Sequence, residues 1–435
     1  MNHLPPKQLA GSRHAVAVIG GGQAGLSMSY CLKQRGIDHV VLEKHRLGHE
    51  WRERRWDSFC LVTPNWQCQL PGFPYPGPAP KGFMKKDDIV RYIEAYAASF
   101  DPPIHEGVTV TALRRGQGGA FELSTSAGEV TADHVVVAIG GYHVPKIPRF
   151  AERLPEHVLQ IHSAEYKSPA GLPDGDVLVV GTGQSGCQIA EDLHLAGRRV
   201  HLCVGGAPRT ARLYRGRDVV EWLDLMGYYG MPVHEHPLKE RVRAKANHYV
   251  TGRDGGRDID LRKFAAEGMR LYGRLLGLQG SVLQFGADLK QNLDQADSVA
   301  DSIKNTIDKL IVERRIDAPV EARYVPVWQP ESEPRELDLA TTRLGTVVWS
   351  IGFSADYRWI EIPVFDGKGY PSHQRGVTTV EGLSFLGLPW LYTWGSGRFS
   401  GVGQDAIYLA DHIQARLVDR APAAEESLNE LALGS

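Results

Sequence analysis

Two stretches of the chain repeat the same pattern of apolar and small residues. HAVAVIGGGQAGLS at 14–27 and DVLVVGTGQSGCQ at 176–188 each begin with a short run rich in β-branched residues, which leads into a glycine-rich turn. Helix-compatible sequence follows both turns. Short β-branched runs are typical of buried strands, and glycine permits a tight turn after them. The pattern therefore predicts two strand–turn–helix units, whose first glycines are Gly20 and Gly181.

The first unit continues into a helix and a second strand. LSMSYCLKQRG at 26–36 has helical spacing and ends on a glycine, and DHVVLEK at 38–44 predicts a strand that ends on Glu43. In the βαβ nucleotide-binding unit, phosphates bind at the helix N-terminus and a carboxylate after the second strand accepts hydrogen bonds from ribose hydroxyls. The sequence therefore predicts a dinucleotide site. Its predicted residues are Gly20, Gly22, Gly25 and Glu43.

The second unit differs where its second strand ends. CQIAEDLHLAGRR predicts the helix and VHLCVGG the strand, but Gly205 and Gly206 stand where an acid would be. Three arginines follow, Arg209, Arg212 and Arg215. Without a carboxylate to repel a 2′-phosphate, and with guanidinium groups to pair with it, this site is predicted to favour NADP over NAD. The alternative is that the arginines are solvated loop charges. The predicted residues of the site are Gly181, Gly183, Gly186 and Arg209.

The segments between and after these units indicate how the domains are arranged. DDIVRYIEAYAASF predicts a helix capped by Asp87 or Asp88, and AFELSTSAGEVTADHVVVAIGG predicts a strand, a turn and a strand. SPAGLPDG at 168–175 is typical of a linker.

A proline-rich and acidic stretch at 325–334 predicts the second boundary, after which TTRLGTVVWSIGF should return strands to the first domain. We therefore predict an α/β fold with two dinucleotide-binding, Rossmann-like domains, the second inserted in the first. The expected parts are an FAD-binding domain from 1–172 and 336–435, and an NADP-binding domain from 173–335.

The stretch at 215–315 is longer than a second nucleotide unit needs, and we predict a mainly helical insertion there. Apolar residues near its end recur at alternating spacings of four and three. Such a stripe is typical of one long helix packed on its own domain, and a coiled-coil homodimer is the alternative. Its members are Leu289, Leu293, Ala296, Ala300, Ile303, Ile307 and Leu310.

Composition narrows the classes of partner. The 435 residues carry 49 Lys and Arg against 51 Asp and Glu, a net charge of −2, so no overall field favours nucleic acid or an acidic membrane. The N-terminus lacks the apolar core of a signal peptide, and no apolar run approaches the roughly 18 residues that a membrane span needs. We therefore expect a cytoplasmic protein that binds neither nucleic acid nor membrane.

Cysteine and histidine usage argues against a disulfide or metal framework. The five cysteines are odd in number and never spaced as CxxC, which predicts mostly buried thiols in a reducing compartment. His234 and His236 form a pair without an evident third ligand, so they predict a loop and no metal site.

Two dinucleotide sites in one chain indicate hydride transfer from nicotinamide to flavin. Further motifs follow in a fixed order, and together with the two turns they resemble the class B flavoprotein monooxygenases, the flavin-containing monooxygenase group, and most of all its compact YUCCA-like bacterial members. The resemblance covers roughly residues 14–205 and 340–415. The motifs are Trp51 after Gly48, WDSFCLVTPNWQCQLPGFPY at 56–75, VVVAIGGYHVPKIP at 135–148, IHSAEYKSP at 161–169, SIGF at 350–353, FLGLPW at 385–390 and SGVGQDA at 400–406.

The resemblance implies a mechanism. NADPH reduces FAD, the reduced flavin forms a C4a-hydroperoxide with O2, and one oxygen atom passes to a small organic substrate. Retained NADP and a dry pocket keep the adduct from releasing H2O2. Because the flavin carries the chemistry, the side chains are expected to bind and to exclude water.

The resemblance also implies residues near the flavin ring. Trp51, Trp56, Thr63 and Asn65 are the candidates, although either tryptophan could equally be part of an ordinary core. No residue is assigned with certainty to a catalytic step.

Two more groups of residues are carried over. Gly403, Gln404 and Asp405 stand where the last helix of the FAD domain begins, and its N-terminus can stabilise the electron-rich edge of the flavin. Asp405 could instead be only a helix N-terminal charge. His162 and Tyr166 match half of the family fingerprint, which places them at the domain hinge; the alternative for His162 is a core histidine with its hydrogen bonds satisfied.

Three functions compete at this point. The first is an NADPH-dependent monooxygenase, which motivates the residue assignments above. The second is a reductase or oxidase that passes electrons to another acceptor or to O2 as H2O2. The third is a nucleotide-binding sensor without catalysis. A disulfide reductase is disfavoured, because Cys60 and Cys68 are eight residues apart and do not form a close pair.

Overall fold

The computed structural model describes residues 9–432, with side chains described through 418. Residues 1–8 lie outside the described part of the chain. They include most of the N-terminal segment for which the sequence predicts no signal peptide.

Strands and helices alternate along most of the described chain. The strands are β1 Ser12–Ile19, β2 His39–Glu43, β3 Gln69–Leu70, β4 Phe73–Pro74, β5 Ile104–Glu106, β6 Val110–Arg115, β7 Phe121–Thr125, β8 Gly128–Val137, β9 Val144–Pro145, β10 Leu159–His162, β11 Asp176–Val180, β12 Val200–Cys203, β13 Leu213–Tyr214, β14 Arg217–Asp218, β15 Arg270–Tyr272, β16 Leu275–Gln279, β17 Val282–Phe285, β18 Glu336–Asp338, β19 Leu344–Trp349, β20 Phe353–Ser354, β21 His373–Gln374, β22 Val377–Thr378 and β23 Leu383–Phe385. The α-helices are α1 Gln23–Gln34, α2 His49–Arg52, α3 Lys86–Phe100, α4 Gln184–Leu195, α5 Val219–Leu225, α6 Leu261–Ala266, α7 Leu289–Arg314 and α8 Val402–Ala432.

The larger sheet has nine strands and holds the first predicted unit. Its main path is β21-β22-β23-β8-β1-β2-β5, and β6 and β7 extend it from β8. Strands β23, β8, β1, β2 and β5 run parallel, so their carboxyl ends meet at one edge. The predicted strand–turn–strand at 120–141 is present as β7 and β8. In open parallel sheets, ligands bind outside this carboxyl edge.

The smaller sheet has the order β10-β19-β11-β12-β15, and all its pairings are parallel. It corrects the expectation that the stretch at 341–353 returns to the first domain, because β19 lies between β10 and β11. The predicted boundaries near 172 and 336 therefore separate strands that pair with each other. The chain returns to the larger sheet later, with β21 to β23 and α8, which packs against α1.

The region at 215–315 is less helical than predicted. Before α7 it contains only short helices, together with β15 in the smaller sheet and the hairpin of β16 and β17, which β18 extends. The sequence pattern misleads here because short irregular elements carry no periodicity to read.

The long helix α7 buries the predicted apolar stripe against the chain itself. Leu289 and Leu293 join the main core, and Ile307 and Leu310 pack with Trp222. This arrangement is that of a long helix packed on its own domain.

The helix α3 begins earlier than predicted. It starts at Lys86 with Lys85 as N-cap, so neither Asp87 nor Asp88 has that position. The Asp88 carboxylate instead accepts a hydrogen bond from the Lys85 backbone N–H at 3.2 Å, as the acid at the third helical position of a capping box does. None of the helices in the described part of the chain is both long and apolar enough to cross a membrane.

Candidate cofactor sites

The turn between β1 and α1 is open on one side and closed on the other. A Cβ on Gly20 would lie 2.8 Å from the Ala138 carbonyl oxygen, and one on Gly25 would lie 1.7 Å from the Gly20 oxygen, so both positions require glycine. Gly22 has no heavy atom within 4 Å of the same position. The first turn of α1 contains no acidic residue. The backbone N–H groups and positive helix end therefore face open space that suits a pyrophosphate.

Glu43, the last residue of β2, lies directly beside this turn. Its carboxylate accepts hydrogen bonds from the Gly21 backbone N–H at 2.6 Å and from the His45 N–H at 2.8 Å. These bonds fix the carboxylate beside the turn. A carboxylate held there presents acceptors of the kind that ribose hydroxyls bind, so the donor and acceptor set fits the FAD pyrophosphate and ribose.

The turn between β11 and α4 has nearly the same geometry. A Cβ on Gly181 would lie 2.8 Å from the Ser350 carbonyl oxygen, and one on Gly186 would lie 1.9 Å from the Gly181 oxygen. Gly183 faces open space, and the first turn of α4 lacks an acidic residue. This turn fits the pyrophosphate of a second dinucleotide, NADP.

The predicted role of Arg209 is not supported by its contacts. Arg209 is buried, donates to the Asp297 carboxylate at 2.5 Å and stacks on the Tyr324 ring at 4.0 Å. Arg212 and Arg215 are likewise paired, with Asp218 at 2.8 Å and Asp308 at 2.9 Å. None of the three is a solvated loop charge, which also corrects the alternative. For Arg209 and Arg215 the sequence could not show this, because their acids lie in α7, 88 and 93 residues further along the chain, whereas Asp218 lies six residues after Arg212.

His162 and Tyr166 have all their polar side-chain atoms engaged within the protein. The His162 Nε2 atom lies 3.1 Å from the Gly352 carbonyl oxygen, and its Nδ1 accepts from the Ala164 backbone N–H at 3.2 Å. Burial lowers the pKa of His162. The Tyr166 hydroxyl donates to Asp192 of α4 at 2.8 Å. These contacts connect the end of β10 with the loop after β19, and the segment after β10 with α4. His162 is therefore a buried histidine with its hydrogen bonds satisfied, and a role at the domain hinge stays a prediction.

The four residues predicted near the flavin differ in how far they are buried. Trp51 is half-buried and stacks on Phe399 at 5.6 Å between ring centroids, whereas Trp56 is buried in the core. The Asn65 amide is used within its own loop: it donates to the Ala79 carbonyl at 2.9 Å and accepts from the Met84 N–H at 2.8 Å. Thr63 lies half-buried between these segments. Trp51 therefore has the more exposed position of the two tryptophans.

The start of α8 packs against the turn between β3 and β4. Gly403 is in contact with Pro71, since a Cβ there would be 3.0 Å from the Pro71 ring. Asp405 is buried, and Arg375 lies 3.3 Å from its carboxylate. Burial raises the pKa of Asp405, while Ser396 and Arg375 oppose that rise. Gln404 is exposed one residue before it. The Asp405 carboxylate therefore forms an ion pair with Arg375 in addition to lying at the helix N-terminus.

One cation that sequence reasoning missed lies directly before Phe399. The Arg398 guanidinium stacks on the Trp394 ring at 3.8 Å and donates to the Asn247 side-chain oxygen at 2.9 Å. Among the described residues no carboxylate forms an ion pair with it. Burial lowers its pKa, while Tyr142, Tyr228 and Tyr229 act in the opposite direction. No charge pattern in the sequence marks it, because its partners are neutral: Trp394 lies four residues before it and Asn247 lies 151 residues before it.

The thiols and histidines do not form reactive clusters in the described part of the chain. All five cysteines are free and buried, as predicted, and burial raises the pKa of Cys68 to about 12. His234 and His236 lie in a loop, and no group of three or more potential metal ligands occurs among the described residues.

Comparison with known proteins places the chain in a family. Residues 17–248 match the family model described as pyridine nucleotide-disulphide oxidoreductase. The chain is 36% identical over 402 residues to an uncharacterized oxidoreductase, CzcO-like, of Geobacillus kaustophilus, covering 92% of this chain and 97% of that protein. It is 35% identical over 190 residues to the indole-3-pyruvate monooxygenase YUCCA1 of Oryza sativa, covering 43% and 47%.

A solved structure shows the same fold. The flavin-containing monooxygenase of Stenotrophomonas maltophilia matches with a TM-score of 0.63 and 19% identity, covering 93% of this chain and 99% of that one. These matches confirm the predicted resemblance, the α/β fold with two dinucleotide-binding domains, and FAD and NADP as the cofactors.

Proposed function

The chain belongs to the pyridine nucleotide-disulphide oxidoreductase family, and we propose that it acts as a monooxygenase, inserting one oxygen atom from O2 into a small organic substrate. It is a flavin-dependent oxidoreductase that uses FAD and NADPH. Bound FAD, once reduced by NADPH, supplies the electrons that activate O2.

The observation that carries the proposal is the combination of two dinucleotide turns with five inaccessible thiols. A disulfide reductase needs a thiol pair beside the flavin, and here every cysteine is buried and unpaired. The likeness to YUCCA1, a monooxygenase by name, supports oxygen as the acceptor.

The chain's own residues would bind the cofactors and exclude water. The turns at Gly20–Gly25 and Gly181–Gly186 hold the pyrophosphates, and Glu43 holds the FAD ribose. Stacked Trp51 and Phe399 form an apolar wall between the FAD-side loop and the start of α8. Such a wall keeps water from the reacting centre, which protects an oxygenating flavin.

We propose further that the substrate carries a carboxylate, bound by Arg398. The guanidinium is half-buried, and its hydrogen-bond partners are neutral. A substrate carboxylate would therefore supply the missing negative charge, and little further desolvation of the guanidinium would be needed. The Trp394 ring beneath it and Tyr229, 4.6 Å from that ring, favour an aromatic or otherwise apolar body. The substrate in YUCCA1's name, indole-3-pyruvate, is an acid of this kind.

The test of the oxygenation proposal is a half-reaction followed in time. The FAD-loaded protein is reduced with NADPH in the absence of oxygen and then mixed with air. We expect a near-ultraviolet absorption band that persists before the oxidised flavin spectrum returns. Direct return of that spectrum with stoichiometric H2O2 would instead establish the oxidase or reductase alternative.

The carboxylate proposal has its own measurement. Arg398→Gln should raise the KM for a 2-oxo acid roughly tenfold and leave the KM for its methyl ester unchanged, because only the acid pairs with the guanidinium. Equal changes for acid and ester would contradict it.

A further inference from the structure

The end of β12 has an unusual shape for a nucleotide site. Gly205 and Gly206 follow the strand and offer no side chain to a ribose or its phosphate. The Gly205 N–H donates to Thr182 Oγ1 of the second turn at 3.0 Å, so this bare segment lies directly beside the pyrophosphate turn. The arginines that follow it along the chain are paired with Asp297, Asp218 and Asp308.

The neighbouring strand brings a cation to this segment. Strand β15 runs parallel to β12, with Cys203 beside Tyr272, and the Val204 N–H donates to the Tyr272 carbonyl at 2.9 Å. The chain then turns at Gly273, where a Cβ would lie 2.2 Å from the Gly286 carbonyl oxygen. Arg274 follows that turn at the same carboxyl edge.

The guanidinium of Arg274 reaches across to the bare segment. Its Nη2 atom lies 3.2 Å from the position that a Cβ on Gly206 would occupy. The side chain is 60% exposed, and its one ion pair in the described part of the chain is a long contact of 3.5 Å with Asp288. Asp288 also accepts the Arg274 backbone N–H at 2.9 Å, which fixes the turn. The two glycines leave the room that a bulky anion needs beside this cation.

We propose that Arg274 determines the preference for NADPH by pairing with the 2′-phosphate of its adenosine, across Gly206. A guanidinium suits this role because its N–H groups bond a phosphate in pairs. The Asp288 Oδ2 atom lies 3.5 Å from the Arg274 Nε atom, which leaves Nη2 for the phosphate. The inference rests on the proposed use of NADPH and is independent of what the reduced flavin does next.

The test measures binding and not turnover. Dissociation constants of NADP+, NAD+, 2′,5′-ADP and 5′-AMP are determined by calorimetry for the FAD-loaded wild type and Arg274→Gln. We expect NADP+ and 2′,5′-ADP to bind roughly 30-fold more weakly to the variant, since one charge-assisted contact is lost. NAD+ and 5′-AMP should change less than about twofold, and Arg274→Lys should retain part of the affinity for 2′,5′-ADP.

A matched control is Arg343→Gln, an exposed arginine at the opposite, amino end of the same sheet, which should change none of the four constants. Unchanged 2′,5′-ADP binding by Arg274→Gln would overturn the inference, and so would an equal loss for NAD+. A wild type that binds NADP+ and NAD+ alike would overturn it too. The oxygen half-reaction is unaffected by these outcomes, so failure of either proposal can be recognised separately.

Discussion

Gly20 and Gly181 occupy the same place in two units of one chain. Both have a φ of +105°, and in both a Cβ would lie 2.8 Å from the carbonyl oxygen of the residue that follows a neighbouring strand of the sheet, Ala138 after β8 or Ser350 after β19. The main difference between the units lies beyond the turn: Glu43 ends the second strand of one, and Gly205 and Gly206 come after that of the other. The common part binds what all dinucleotides share, the pyrophosphate, and the variable part selects the ribose substituent.

The second difference lies in where the selecting side chain originates. Glu43 is local and forms hydrogen bonds with its own unit. Arg274 comes from a neighbouring strand outside the βαβ unit. A carboxylate such as that of Glu43 accepts hydrogen bonds from ribose hydroxyls and repels a phosphate, whereas a guanidinium such as that of Arg274 attracts a phosphate. The charge of this side chain therefore distinguishes an unmodified ribose from one that carries a 2′-phosphate.

The largest expected effect comes from filling the closed side of each turn. Gly25→Ala should abolish FAD binding, because the new methyl group would need the space 1.7 Å from the Gly20 oxygen. Gly186→Ala should leave FAD bound and weaken NADP+ by roughly 100-fold or more, since the backbone N–H groups of the turn must shift. FAD content by absorbance and NADP+ binding by calorimetry distinguish the two variants.

Gly277→Ala is the control, since a Cβ there meets nothing within 4 Å. Loss of FAD in Gly186→Ala would show that the two units are not independent.

A smaller effect is expected from making the second unit resemble the first. Gly206→Glu places an acid beside Arg274, which should weaken NADP+ by roughly 30-fold while NAD+ is retained. The converse change, Glu43→Gln, removes a charged acceptor and should weaken FAD by roughly tenfold. Both are measured as dissociation constants. Equal loss of NADP+ and NAD+ in Gly206→Glu would mean that the segment is only structural.

The smallest effect concerns a histidine that each unit buries in its second strand. Burial lowers the pKa of His39 and of His201, so the folded protein excludes a proton that the unfolded chain binds below about pH 6.5. The free energy of unfolding should therefore have its full value well above that pH and decrease as the pH falls, by at most about 1.4 kcal/mol per histidine at pH 5.5.

The two histidines should differ, because His201 lies 3.1 Å from the Asp176 carboxylate and His39 bonds only to Ser29 and the Ile37 carbonyl. His39→Gln should reduce the loss of stability between pH 7.5 and 5.5 more than His201→Gln does. Urea unfolding at the two pH values measures this. A larger change for His201→Gln would contradict the assignment.

The sequence could predict those features that depend on residue type and on short spacing along the chain. The two turns, Glu43 and the buried cysteines follow from residue type and short spacing, since a βαβ unit completes its site within a few dozen residues. The glycines of the turns, the Glu43 carboxylate beside Gly21 and the burial of the cysteines are found where these patterns place them, although the carbonyl groups that close the turns come from Ala138 and Ser350, far along the chain.

Only the tertiary structure decided which arginines remain available to pair with a ligand. Arg209 follows the second unit at a suggestive distance, yet Asp297 of α7 neutralises it, and Arg274 becomes available only because β15 lies beside β12. The position of β19 between β10 and β11 was likewise invisible, since strand order depends on which edge remains free. Short-range pattern fixes the two strand–turn–helix units. Pairing between charges and strands far apart in the chain depends on the folded arrangement, which no local pattern encodes.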